Sequence, residues 1–255
     1  MNRLVGAKVA IVSPKPQTTR GRIMGMMNED GAQIVFLDTP GMHSPKNKLG
    51  AAMIRSVGGA LYDVDLVVMV VEPVAKPGLP EKEILFKLKT VGRPAILVIN
   101  KIDEVRKDAL LPVISAYSAL YNFEAILPVS ARTGDGIADL KREIIARAEE
   151  GEALFPEEQY TDQSEREMVS EIIREKALLL LDQEIPHGIA IDIVTFQKKA
   201  GAFVIDADLY CEKASHKGII IGKNGTDVYK RQTYDGGMFI MLISLIKPKK
   251  KAGHQ

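Results

Sequence analysis

A single cysteine, Cys211, stands in 255 residues, so the chain can close no intrachain disulfide and build no cysteine-rich zinc site, which fits a reducing compartment. Cys211 itself reads as a small buried strand residue. The sequence also lacks an excess of either charge. Its 34 Lys+Arg against 33 Asp+Glu give a net charge of +1, too little to coat nucleic acid along the whole surface, so any RNA site has to be a local basic face. No apolar run approaches the roughly 18 residues of a membrane-spanning helix. Met238 to Ile246 suits a core strand better. No charged segment followed by an apolar stretch opens the chain. These absences argue against a disulfide scaffold and a transmembrane segment, and the expected location is the cytoplasm.

What is present is enough apolar material, 46% of residues, for one large domain or two of moderate size. Apolar strand-like runs at Gln33 to Asp38, Asp65 to Val71, Ala95 to Ile99 and Ala125 to Val129 alternate with helical patterns at Lys48 to Leu61, Glu81 to Val91, Ala109 to Tyr121 and Ile137 to Glu149. Such alternation predicts an α/β domain with a mostly parallel, doubly wound sheet, whose ligands sit at the carboxyl ends of the strands. Asp38, Asn100 and Ser130 all fall at such ends.

Asn100-Lys101-Ile102-Asp103 carries the sharpest chemistry. Guanine presents an N1–H and a 2-amino group side by side, two donors that one ionised carboxylate accepts together. Adenine lacks that pair and would leave a buried Asp103 unsatisfied. Asn100 can pin the loop, and the stem of Lys101 can lie along the base. A lone four-residue match of this kind is often an ordinary turn, but three companions occur in order. Asp38-Thr39-Pro40-Gly41 ends an apolar strand: Asp38 can hold a Mg²⁺-bound water and the Gly41 N–H can face a γ-phosphate. Ser130-Ala131 ends another, where a backbone N–H can donate to guanine O6. Gln17-Thr18-Thr19-Arg20 is a polar segment beside Pro14 and Pro16, with threonine hydroxyls suited to a Mg²⁺ shell.

The chain then changes character. Gly151 to Ser164 reads as a linker. After it come a helical pattern over Glu165 to Gln183, two alternating strand-like runs, Ile189 to Phe196 and Phe203 to Tyr210, and the run His216-Lys217-Gly218-Ile219-Ile220-Ile221-Gly222-Lys223-Asn224-Gly225. A G-x-x-G loop that closes a short apolar helix lets backbone amides approach nucleic acid while lysine adds charge, as in a KH loop. Lys217, Gly222, Lys223, Asn224 and Gly225 are the candidate RNA contacts.

The order of these segments closely resembles the bacterial Era family of GTPases, on Pro14 to Arg20, Leu37 to Met42, Asn100 to Asp103, Val129 to Ala131 and Gly218 to Gly225. The resemblance covers most residues from Asn2 to Gly225. It implies a P-loop-NTPase-like sheet in residues 1–152 and an α+β KH-like (type II) domain in 165–246, while composition makes 153–164 a linker and 247–255 a basic tail. It further implies GTP and GDP with Mg²⁺, slow GTP hydrolysis, binding to small-subunit ribosomal RNA and the 30S ribosomal subunit, a role in small-subunit assembly, and some peripheral association with the inner face of the cell membrane. The GTP-binding positions it implies are Asp38, Thr39, Pro40, Gly41, Met42, Asn100, Lys101, Asp103, Ser130 and Ala131. Gln17 to Arg20 form the switch, and Thr18, Thr19 and Asp38 serve the metal. Met42 stands where many signalling GTPases carry a glutamine that orients water, a task beyond a thioether, so hydrolysis is expected to be slow. His43 reads as a surface residue rather than a base. No catalytic side chain is assigned.

Two departures shape the expectation. Residues 1–255 hold no G-x-x-x-x-G-K-[ST], which in the family precedes a segment like Met1 to Leu4, so Met1 is read as an internal methionine and the sheet as lacking its first strand and phosphate loop. After Gly225 the family's long basic helix is absent, and Asp227 to Gln232 looks like translated sequencing-adapter read-through, so the tail from about Thr226 is expected to be foreign. Two functions of different class follow: a GTPase switch that controls RNA binding, and an RNA-binding KH module whose G domain does not hold nucleotide.

Overall fold

Ala95–Ile99 is a five-residue run of Ala, Ile, Leu and Val between a proline and an asparagine, and every one of its side chains is buried. Such a run is stable only in the middle of a sheet covered on both faces. In the computed structural model, which describes residues 1–15, 18–38, 64–181, 188–199, 202–211, 216, 220 and 241–243, it is β4, the central strand of a parallel sheet. It pairs with β3 (Val67–Val71) on one side and with β5 (Ala125–Pro128) on the other. Side chains alternate across it with period two. Ala95, Leu97 and Ile99 face α2 (Leu79–Val91) and α3 (Leu110–Ser118) through Leu85, Leu88, Val113 and Tyr117. Ile96 and Val98 pack with Leu140 and Ile144 of α4 (Ile137–Ile145) on the other face. The expected double winding is therefore present.

The chain divides into two compact units. One joins Met1–Ala10 to Thr19–Asp162, and the other joins Ile11–Thr18 to Gln163–Gln255. The first unit also contains α1 (Asn2–Val5) and an antiparallel hairpin of β1 (Ile23–Glu29) and β2 (Ala32–Asp38). Asp30 and Gly31 make its two-residue turn, both with positive φ, 51° and 76°, as a hairpin turn that matches strand twist requires. Gly25 lets α1 lie against β1: a Cβ there would meet Val5 Cγ2 at 2.9 Å. Among the described residues β2 pairs with β1 alone and β3 with β4 alone. A groove of about 1460 Å³ is lined by β2, by Val64 to Val68 and by the segment after α4. The helix expected over Lys48 to Leu61 lies outside the described residues.

The second unit is built on α5 (Glu165–Leu180), which starts in a capping box. The Glu167 N–H donates to Ser164 Oγ at 3.3 Å, and Glu167 Oε2 accepts the Ser164 N–H at 2.7 Å, so two of the helix's orphan donors are satisfied. Strands β6 (Ile189–Lys199) and β7 (Ala202–Cys211) pair antiparallel with a bulge at Ile193/Thr195, and β8 (Met241–Ile243) adds to β7. Ile193, Ile205 and Ala207 pack against Val169 and Ile173 of α5. Phe196 stacks on Phe203 at 5.2 Å. Ile220 is buried against Ile189 and Leu209, beside the half-buried Cys211.

Residues 11–18 lie in this unit and are held by two buried charged residues of α5. Glu175 Oε1 accepts the Val12 N–H at 2.8 Å, and Arg174 Nη2 donates to the Thr18 carbonyl at 2.7 Å while pairing with Glu171. These hydrogen bonds, with the ion pair to Glu171 for Arg174, offset the cost of burying the two charges. No described helix is long and apolar enough to cross a membrane.

Candidate functional site

The ends of β4 and β5 lie side by side, and the chain beyond each is fixed by main-chain bonds. The Asn100 N–H donates to the Val71 carbonyl at 2.8 Å, continuing the ladder, and the Val129 N–H donates to the Ile99 carbonyl at 2.8 Å. Lys101 follows in the left-handed region at φ 65°, which turns the chain into the 3₁₀ turn Ile102–Glu104 that carries Asp103. A non-glycine residue in that conformation is strained and is common at binding sites. Beyond β5, the buried Ser130 donates its N–H to the Asp135 carbonyl at 2.9 Å and accepts the Thr133 N–H on its hydroxyl at 3.1 Å. Gly136 closes this loop with φ 73°; a Cβ there would meet the Pro128 carbonyl oxygen at 2.3 Å.

Asp103 is the focus of the two loops. Ser130 Oγ donates to its Oδ1, and the Arg132 guanidinium donates to its Oδ2, Nε at 2.7 Å and Nη2 beside it. The Ser130 hydroxyl, then the Arg132 bonds, hold the Asp103 carboxyl below the usual carboxylate range, so it is an ionised acceptor at neutral pH. The side chains of Asn100 and Asp103 thus stand at one strand end with the acceptor chemistry that guanine needs.

Other expected residues are placed differently. The Ala131 N–H, proposed for guanine O6, donates to Asn100 Oδ1 at 3.0 Å. A base must share that amide or draw it from Asn100. The Lys101 ammonium pairs with Glu72, just past β3, and that hydrogen bond raises its pKa; its stem is directed there. Asp38 ends β2 opposite Ile23. Thr18 belongs to the second unit, where its hydroxyl donates to the Lys15 carbonyl at 2.7 Å. Thr19 and Arg20 open the return to the first unit. Gln17, Thr39, Pro40, Gly41 and Met42, and Lys217, Gly222, Lys223, Asn224 and Gly225, lie outside the described residues. Among the described residues no cluster of three or more His, Cys, Asp or Glu is arranged to hold a metal.

Two contributors carried no signal in the sequence, Arg132 on Asp103 and Arg3 beneath the same loop. Arg3 of α1 donates from Nε to the Ala131 carbonyl at 3.2 Å and from Nη2 to the Arg132 carbonyl at 2.7 Å, fixing the backbone of the loop that faces Asp103. Its partners are more than a hundred residues away in sequence, and no local pattern announces them.

Comparison with known proteins agrees with this geometry. Residues 1–101 match the family model described as a 50S ribosome-binding GTPase, and residues 184–233 match the KH domain model. GTPase Era of Ruminiclostridium cellulolyticum is 42% identical over 231 residues, 90% of this chain and 78% of the relative. GTPase Era of Clostridium botulinum is 45% identical over 235 residues, 92% and 79% of the two chains. The chain belongs to the Era family of GTPases. Two solved Era structures share the fold. A crystal structure of Era with MgGDPNP and nucleotides 1506–1542 of 16S ribosomal RNA gives a TM-score of 0.83 at 36% identity, covering 88% of this chain and 77% of that one. An Aquifex aeolicus Era variant bound to GDP·AlF4⁻ gives 0.82 at 35%, covering 88% and 78%. The Era likeness runs through both units, so the chain is a GTPase-type domain followed by a KH domain. It favours the switch over a KH module with an idle G domain.

Proposed function

We propose that this chain is a GTP/GDP-binding switch that uses Mg²⁺, hydrolyses GTP slowly and binds small-subunit ribosomal RNA through its KH domain, assisting small-subunit assembly in the cytoplasm. The carboxylate of Asp103, aimed by Ser130 Oγ, carries the nucleotide half of this reading. Asp103 accepts guanine N1–H and the 2-amino group, and Asn100 offers its amide beside it. The donor set also suits a hydrated Mg²⁺. Asp38 would hold a metal-bound water, and the Thr19 hydroxyl of the same unit offers oxygen lone pairs. When bound, the ion would offset charge on the transferring phosphoryl group. The RNA half rests on KH-family membership and on the relative solved with 16S ribosomal RNA, with Lys217, Gly222, Lys223, Asn224 and Gly225 as the clamp and the 30S subunit as the assembly served.

Titration of the full chain with fluorescent GDP, competed by GTP and by ATP, tests the nucleotide half. Competition by GTP but not ATP is expected. Equal competition by both would reject guanine reading. Gly222→Asp combined with Gly225→Asp should abolish binding to a 16S-derived RNA while leaving GDP binding intact; RNA binding that survives would reject the KH clamp.

A further inference from the structure

Arg132 is not among the residues proposed to meet nucleotide, yet two of its guanidinium nitrogens contact the carboxylate of Asp103. Its Nε donates to Asp103 Oδ2 at 2.7 Å and its Nη2 donates to the same oxygen. A guanidinium presents adjacent N–H donors in one plane, the same arrangement that the N1–H and 2-amino edge of guanine offers a carboxylate. We propose that Arg132 is a built-in stand-in for the base: it occupies Asp103 while the site is empty, and guanine binds by displacing it.

Three observations support displacement rather than a fixed structural pair. The Asp103 side chain is only 13% exposed whereas that of Arg132 is 73% exposed, so the carboxylate is the fixed member and the cation can swing into water at little cost. The anchor of Asp103 does not depend on Arg132, because the buried Ser130 holds the other carboxylate oxygen and is itself tied to the Thr133 N–H. The backbone beneath Arg132 is clamped through the carbonyls of residues 131 and 132 by Arg3. A swing of the Arg132 side chain therefore leaves the loop and the reading carboxylate in place. Arg132 keeps Asp103 neutralised without a ligand, and part of the base's binding free energy goes into breaking the pair.

This inference rests on Asp103 as the guanine reader, and the experiment separates the two. GDP binding by the full chain is measured for wild type, Arg132→Gln and Arg132→Lys at several salt concentrations. Arg132→Gln should tighten GDP roughly two- to fivefold at low salt, with Arg132→Lys between, since a point charge lacks the planar fork. The gain should shrink as salt screens the pair in wild type. In the ligand-free protein, the Asp103 carboxyl carbon followed by NMR should titrate higher in Arg132→Gln than in wild type. GDP binding that is unchanged or weaker in Arg132→Gln, an Asp103 titration that does not move, or no GDP binding by wild type and Arg132→Gln up to millimolar nucleotide would each overturn the stand-in. Asp103→Asn, titrated with GDP and XDP in the same series, reports on the reader separately: a shift of preference to XDP upholds Asp103 as the reader whatever Arg132 does, and no shift rejects the reader and with it the stand-in.

Discussion

Strands β4 and β2 are both apolar and both end in a residue proposed to meet nucleotide, Asn100 after one and Asp38 at the end of the other, yet they are built differently. β4 is buried at every position and paired on both sides. β2 is half-buried at every position and, among the described residues, paired on one side only. The end of the domain proposed to read the base therefore stands on a strand paired on both sides and buried at every position. The carboxylate proposed for the metal stands on a strand that, among the described residues, pairs along one edge only and lines a groove. Rigidity is supplied where two loops must hold one carboxylate in register, which is what preorganised recognition requires.

Hydrogen exchange offers the largest contrast. Amides of Ile96 to Ile99 should be protected at least about a thousandfold more than the β2 amides that point away from β1, because the latter open without global unfolding. Similar protection in both would erase the distinction. Core truncation gives the next effect. Leu97→Ala, at a site with no exposure, should cost about 2–5 kcal/mol in urea unfolding, against about 1 kcal/mol for the half-buried Val35→Ala. Equal losses would place β2 in the same rigid core. The smallest effect is at the site itself. Asp103 is ionised above its depressed pKa, so guanine binding should persist as pH falls until that pKa is crossed. Ser130→Ala removes the first cause of the depression and should move the acid limb of GDP binding to higher pH. A limb that stays in place would mean that Ser130 does not orient the carboxylate.

Much of the first unit was legible because its signals are local. Ala95 to Ile99 is the observed strand to the residue, and Asn100, Asp103 and Ser130 stand together at strand ends as the alternating pattern implies. The β1–β2 hairpin was missed although Asp30-Gly31 is a strong hairpin turn: β1 is Ile-Met-Gly-Met-Met-Asn-Glu, poor in the β-branched and aromatic residues that mark a strand. Contacts between residues distant in sequence left no local trace. Arg3 on the Ala131 and Arg132 carbonyls, Arg132 on Asp103, and α5 holding residues 11–18 through Arg174 and Glu175 are visible only after folding. In the second unit, helix, strand and strand were legible from periodicity. The bulge at Ile193/Thr195 was not, since one extra residue in a strand leaves the apolar pattern nearly unchanged.

The central claim is that one carboxylate, fixed by the closed part of the sheet, reads the base. Binding of GDP and XDP to the full chain and to Asp103→Asn tests it most directly, because an amide at that position can donate to the xanthine 2-carbonyl but cannot accept both guanine donors. Loss of GDP binding with a gain of XDP binding is the predicted result. GDP binding unchanged by the substitution, with XDP no tighter, would contradict it.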